Sequence, residues 1–365
     1  KGERSVHSDK KSGPLFVWNL TSKCNLTCSH CYRDSASTIS NQDAELSDEK
    51  CIEMVSEIKA LNPPIVLLTG GEPLMARNIF DIVKACKASG LRIGFSTNGT
   101  LIDRKMADKI QKSGVDYVGI SIDGKEASHD KMRGLNGASR LSWQALKFLN
   151  ELGVKTGVRF TLTKANRLEL MDILEKTLEI GSKRFCLYHL VYAGRASQGL
   201  DMTVEEKRVC MDKFFRRIKE ISLSDPQFEA LTTDSPADGL YLSKFAVSEE
   251  SSLSCIRSHG GCSAGERVAY LDSTGDVYPC QFLRDQSLGN VNDKPLLDIW
   301  TDKKNIFLQE LRNKKAFLKG RCGECGHKDI CGGCRSRAKA CYGSLWEEDP
   351  ACYLEDSEIK NEVFH

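Results

Sequence analysis

At 365 residues, with 40% hydrophobic and 28% charged side chains, the chain has the make-up of a globular protein of about two domains. A formal charge of +2, from 52 Lys and Arg against 50 Asp and Glu, excludes a dedicated polyanion binder, so no nucleic-acid partner is expected; a local basic pocket stays open. The longest apolar run, around "PPIVLLTGG", is strand-sized, and the polar start "KGERSVHSDKKSG" leads into no secretory core, so no membrane partner is expected either.

Residues 1–13 read as a polar extension. From 14 to about 200, short β-branched runs alternate with helical patterns: "LFVWNL" (15–20), "IVLLT" (65–69), "RIGFST" (92–97), "YVGISI" (117–122), "GVRFTLT" (157–163) and "RFCLYHLVY" (184–192) are the strands. Between them "SDEKCIEMVSEIKAL" opens on an N-cap at Ser47, with Ile52, Val55 and Ile58 on one face. The next helices stop at Gly90, Gly114 and Gly153. Six β-α units predict an α/β fold, a partial six-stranded TIM-like barrel around a parallel sheet. The unusual residues fall just after strands: three cysteines, then "GGEP" (70–73), "NGT" (98–100), "DGKEASHDKMRG" (123–134) and "AGRA" (193–196). In a parallel barrel all of these lie at the C-terminal rim, where chemistry gathers. Asp123-Gly124 alone reads as an ordinary turn. Residues 201–250 read as a helical connector, and 251–365, rich in Gly and Cys, as a second domain.

Cysteine is the outlier, with 16 in the chain. Most fall in tight clusters, which suits metal ligation in a reducing cytoplasm better than disulfides. Cys51, Cys86, Cys186 and Cys210 sit inside helix or strand patterns and read as buried thiols. Cys24, Cys28 and Cys31 share one loop; a closed structural site wants four ligands, so three point to a metal left open on one side. His30 is available to zinc, but next to Cys31 it is badly placed to share one ion with all three.

"CNLTCSHCY", with Cys-x3-Cys-x2-Cys spacing and an aromatic at Tyr32, together with "TGGEP" on the next strand, resembles the radical S-adenosylmethionine enzymes. The resemblance implies a [4Fe-4S] cluster on Cys24, Cys28 and Cys31 whose open iron is chelated by the methionine of S-adenosylmethionine. Reductive cleavage then gives a 5′-deoxyadenosyl radical that abstracts hydrogen from substrate in a dry lumen. It implies that the backbone at Gly70 and Gly71 meets the methionine amino group, with Glu72 as its charge partner. Asn98 and Ser121 would reach the ribose or carboxylate, and Arg133 the carboxylate. An electron donor such as flavodoxin or ferredoxin is implied as a partner.

"CSAGERVAYLDSTGDVYPC" and "CGECGHKDICGGC" are similar to the C-terminal SPASM domain, which carries two auxiliary four-iron clusters and so brings the expected total to three. By that pattern Cys255, Cys262, Cys280 and Cys334 close one cluster, with Cys341 the alternative to Cys334. Cys322, Cys325, Cys331 and Cys352 close the other. A zinc ribbon on Cys322, Cys325, Cys331 and Cys334 is the plainer reading.

"YHLVYAGRA", "DSPADG" and "SLGNVNDKPLLDIW" resemble the NirJ and alternative-heme branch acting on siroheme-derived tetrapyrroles. That implies cleavage or oxidation of carboxylate arms of an iron tetrapyrrole such as didecarboxysiroheme, with an auxiliary cluster as electron acceptor. Such a substrate asks for a few Arg forks and aromatic walls. Arg159, Arg184 and Arg195 are the candidates, Arg195 the preferred carboxylate anchor, and His189 could ligate iron or donate to a carboxylate. The competing readings are a peptide maturase installing crosslinks and a non-catalytic iron–sulfur or zinc protein.

Overall fold

A computed structural model describes residues 12–35, 45–245 and 261–360. Cys255 lies outside them.

All six predicted strands form: β1 Leu15–Asn19, β2 Val66–Thr69, β3 Ile93–Thr97, β4 Tyr117–Ser121, β5 Thr156–Leu162 and β6 Arg184–His189. Each pairs in parallel with the next. The sheet is wider than the six-stranded expectation. The stretch read as a helical connector carries β7 Glu229–Thr233, which pairs in parallel with β6. The cysteine-rich end supplies β8 Val268–Leu271, which pairs in parallel with β1 and continues antiparallel into β9 Asp276–Tyr278 and β10 Gly289–Asn290. The order is β10-β9-β8-β1-β2-β3-β4-β5-β6-β7; its two ends, β10 and β7, are not paired with each other, so among the described residues a seam stays open.

The alternation of the strands sorts side chains between two faces. Phe16, Trp18, Val66, Leu68, Ile93, Phe95, Val118, Ile120, Val158, Phe160, Phe185 and Leu187 are wholly buried on one face. That face meets α1 Asp48–Ala60, α2 Ile79–Ala88, α3 Arg104–Ser113, α5 Ala138–Glu151 and α6 Leu170–Glu179; the short α4 Glu126–Arg133 sits at the rim. The opposite parity, including Val17, Leu67, Tyr117, Arg159, Arg184, Cys186 and Tyr188, lines a hollow lumen. Glycines keep that space open: a Cβ on Gly119 would meet Arg159 Cδ at 2.7 Å, and one on Gly157 the Tyr117 hydroxyl at 2.4 Å.

Ser47 caps α1 as expected, accepting from the Lys50 amide at 3.1 Å. Its buried face is Cys51, Met54, Val55 and Ile58, however, and Ile52 is 41% exposed. Cys51, Cys86 and Cys186 are buried, and Cys210 is half-buried.

Candidate active site

The loop after β1 is lashed to its neighbours by its backbone. Thr21 and Lys23 carbonyls accept from the Gly71 and Glu72 amides at 2.7 and 2.8 Å. The Thr27 and Ser29 amides donate to carbonyls of Arg133 and Met132 at the end of α4, at 3.3 and 2.9 Å. The Cys31 carbonyl accepts from the Arg195 amide at 2.9 Å. Gly71 is required by contact rather than by dihedral, since a Cβ there would lie 2.2 Å from the Lys23 carbonyl oxygen and 2.9 Å from Cys24 Cβ. So held, Cys24, Cys28 and Cys31 line one cavity of about 150 Å³ together with Gly70, Gly71, Asn98, Ser121 and Arg133.

These donors fit an iron–sulfur cluster better than a single ion. Thiolates sharing one zinc sit about 2.3 Å from it. Among the described residues no three His, Cys, Asp or Glu side chains gather closely enough to hold one ion. Burial pushes the Cys24 thiol up to about 12, so a cluster must displace its proton on binding.

Beneath the loop lies Asp123, fully buried at the end of β4. It faces Arg133 Nη2 at 2.5 Å and His30 Nε2 at 3.3 Å, and Oδ1 accepts from the Thr161 amide at 2.7 Å. Burial alone would raise it, but Arg133 and His30 hold it well below the usual carboxylate range. Arg133 Nη1 in turn donates to Cys28 Sγ at 3.6 Å. The residue that read as a turn is the hub connecting strand, helix and cysteine loop. His30 spends its imidazole on that carboxylate.

Glu72 is also fully buried, and it faces the fold. Oε1 accepts from Thr97 Oγ1 at 2.7 Å and the Leu74 amide at 3.2 Å, while Oε2 accepts from the Asn98 amide at 2.9 Å. Asn98 bonds Asn25 Oδ1 at 3.0 Å, tying the third rim loop to the first. Tyr32 packs edge-on against Phe282 at 5.4 Å, and its hydroxyl is pushed up by burial.

A second cavity of about 560 Å³ runs from this rim down the lumen along the open seam to Cys262, Cys280 and Cys334. Tyr32, Arg159, Tyr188, Asp234, Gln281 and Phe282 line both cavities, so the two adjoin and share these side chains as a boundary. Arg159 stands at that boundary, its guanidinium 4.5 Å over the Tyr188 ring and with no carboxylate partner among the described residues. The other two candidate forks are occupied. Arg184 Nε donates to Glu229 at 2.6 Å. Arg195 donates to the Cys28 carbonyl at 2.8 Å, to Asp34 at 2.5 Å and to the Ser35 carbonyl at 3.1 Å. Arg195 thus clamps the cysteine loop, and of the three candidates Arg159 is the one without a carboxylate partner among the described residues. His189 Nε2 is 2.9 Å from Asp238, itself bonded by Tyr353 Oη at 2.7 Å, which leaves Nδ1 buried and unpartnered. Asp234, opposite, is raised to about 6 by burial and holds the left-handed φ of 69°.

In the C-terminal lobe Cys322, Cys325, Cys331 and Cys352 line one small apolar cavity with Leu354 and Ile359. Cys334 faces the larger chamber with Cys262 and Cys280, whereas Cys341 lines neither and lies 3.6 Å from Gln198 Oε1. Between Cys331 and Cys334, which line different cavities, stand only Gly332 and Gly333.

Residues 18–177 match the radical SAM superfamily, and residues 262–326 match the SPASM iron–sulfur cluster-binding domain. The Fe-coproporphyrin III synthase of Methanosarcina barkeri is 37% identical over 96% of this chain and 90% of its own length. The pre-heme d1 synthase of Dinoroseobacter shibae is 36% identical over 94% and 87%. In fold, the chain is similar to SuiB of Streptococcus suis bound to S-adenosylmethionine, with a TM-score of 0.73 at 20% identity, covering 94% of this chain and 78% of that one. The three-cysteine rim loop, the lumen beneath it and the cysteine-rich lobe behind it therefore have one explanation: the chain is an enzyme of the radical SAM superfamily with a SPASM domain, and belongs to the family of Fe-coproporphyrin III synthase and pre-heme d1 synthase.

Proposed function

We propose that the chain cleaves or oxidatively decarboxylates carboxylate side chains of a siroheme-derived iron tetrapyrrole such as didecarboxysiroheme, in heme d1 or alternative heme synthesis. The reading rests on one observation above all: the three-cysteine rim cavity adjoins a lumen with aliphatic and aromatic walls, and at their shared boundary stands Arg159, with no carboxylate partner among the described residues. The lumen cavity, about 560 Å³, falls within the roughly 300–1,000 Å³ of small-molecule sites. Val17, Leu67, Tyr117 and Leu231 offer flat apolar contact to a macrocycle, and Arg159 offers a planar fork to one of its carboxylates.

In this reading Cys24, Cys28 and Cys31 hold one [4Fe-4S] cluster; Cys255, Cys262, Cys280 and Cys334 a second; Cys322, Cys325, Cys331 and Cys352 a third. Gly70, Gly71, Asn98, Ser121, Arg133 and Tyr32 surround S-adenosylmethionine, and Glu72 sets the geometry of that pocket from behind. With these groups bound, the chemistry supplied is hydrogen abstraction by a 5′-deoxyadenosyl radical. The chain's own work is orientation and exclusion of water. Arg159 grips the arm to be attacked, Tyr188 backs the guanidinium, and His189, held by Asp238, has only Nδ1 left to meet the substrate. A small electron-transfer protein such as flavodoxin or ferredoxin supplies electrons, in the cytoplasm.

Mass spectrometry of didecarboxysiroheme incubated with reduced enzyme and S-adenosylmethionine tests the reading. A tetrapyrrole lighter by an acetate, a propionate or carbon dioxide is expected, with deoxyadenosine formed alongside. Deoxyadenosine over an unchanged tetrapyrrole would reject it. Arg159→Met removes a charge-assisted bond of about 1.5–3 kcal/mol, so tetrapyrrole binding read from the Soret band should weaken roughly 10- to 100-fold at unchanged iron content.

A further inference from the structure

The side chain of Arg337 is almost entirely buried, at 1% exposed, and is not used in any step above. It lies in the first turn of the helix Arg335–Tyr342, whose N-cap is Cys334. Nε and Nη2 make a two-pronged contact with Asp349 at 2.9 and 2.8 Å. Nη1 reaches across to the barrel and donates to two carbonyls, Asp234 at 2.6 Å and Leu190 at 3.2 Å. A buried ion pair is costly unless its remaining valences are bonded, and here they are.

Both ends of this unit carry chemistry. Asp349 accepts from the Cys334 amide at 2.7 Å, and its own amide donates to Cys322 Sγ at 3.3 Å. One residue therefore touches the cysteines of both C-terminal groups. The spacing tolerates nothing larger: a Cβ on Gly333 would lie 2.8 Å from Asp349 Cβ and 2.9 Å from Cys322 Sγ. At the barrel end the gripped carbonyl belongs to Asp234, a non-glycine residue in the left-handed region whose side chain lines the chamber. Such a conformation persists only where its surroundings over-determine it, and the Arg337 guanidinium is the clamp.

We infer that Arg337 is a positioning residue that couples the Asp234 wall of the substrate chamber to both auxiliary cysteine sites, so that a displacement of either is felt at the other. The inference rests on the reading that those sites hold clusters, but needs no tetrapyrrole. Coupling of this kind is reciprocal, so it is testable from both ends. Lysine keeps the charge but, with one ammonium, cannot span a carboxylate and two carbonyls.

From the cluster end, amide hydrogen exchange is followed in the full chain with and without reconstituted clusters. Loading should slow exchange across 190–192 and 232–236 at least tenfold in the natural protein. In Arg337→Lys, at equal iron content, these segments should gain no protection while β3 exchanges as before. Equal protection in both proteins overturns the inference. From the chamber end, and with Asp234→Asn as the control that removes the same charge but keeps the turn, Asp234→Gly frees the left-handed turn without replacing a cysteine, so it serves even where Arg337→Lys fails to load iron. It should alter the auxiliary-cluster signals and midpoints in an EPR-monitored redox titration and leave those of the Cys24–Cys28–Cys31 cluster unchanged. Auxiliary signals identical to those of the natural protein overturn the inference. The iron content of the natural protein reports separately on the cluster reading.

Discussion

Asp123 shows how much of the site depends on one carboxylate. It neutralises Arg133, which bonds Cys28 Sγ, and it engages His30 from within the cysteine loop. Asp123→Ala leaves the Arg133 guanidinium buried without its counter-charge and should cost roughly 3–5 kcal/mol in urea unfolding at pH 7. The sign with pH follows from its lowered folded-state value. The stabilisation is complete above the unfolded carboxylate pKa of about 3.9 and disappears as pH falls through the folded value. The gap between variant and natural protein should therefore hold from pH 7 to 5 and close only in strong acid. The cysteines of this site were legible in sequence because ligand spacing is local. Asp123 was not, because a turn and a buried hub share the same "DG" letters and differ only in what folds over them. The sequence ranked Arg195, in the "AGRA" loop after β6, above Arg159 on β5 as the carboxylate anchor. Their difference lies in Asp34 and the Cys28 and Ser35 carbonyls, which are more than 150 positions away from Arg195 and occupy it alone.

The loops and strands that carry these residues were better announced. Alternation placed six strands to within a residue or two at their starts, since Phe16 and Trp18, or Phe185 and Leu187, must face the helices together. β7 escaped because "EALTT" is short, polar and half-exposed, following a long amphipathic helix. Nothing local says that β8 joins the barrel beside β1, since that partner lies some 250 residues away. The hollow interior did leave a trace: Gly94, Gly119 and Gly157 interrupt adjacent strands, which is where another group approaches closely. Gly71 makes the same point at the rim. Gly71→Ala puts a methyl against the Lys23 carbonyl and Cys24, so the cysteine loop must move. On the proposed total of three clusters, the reconstituted variant should lose about a third of its iron, with its far-ultraviolet dichroism unchanged.

The C-terminal lobe is a wall of the barrel rather than an appendage. β8 covers the β1 edge, Asp272 accepts from Asn19 at 2.9 Å and pairs with Arg33 at 2.6 Å, and Arg337 binds carbonyls after β6 and β7. Ending the chain at residue 245 would bare a hydrophobic parallel edge strand, a template for pairing with other chains. The truncated protein should sediment as aggregates and bind a hydrophobic dye, where the full chain stays dispersed. The unpaired outer edge of β7 has a different effect. A barrel zipped all the way round would have to melt a ladder to admit a rigid disc; this one has a slot beside β7, whose outer edge pairs with no strand among the described residues. A flat guest can slide in edge-on and a spent one can leave the same way, so traffic should depend on rotamer changes along that slot and not on opening the sheet.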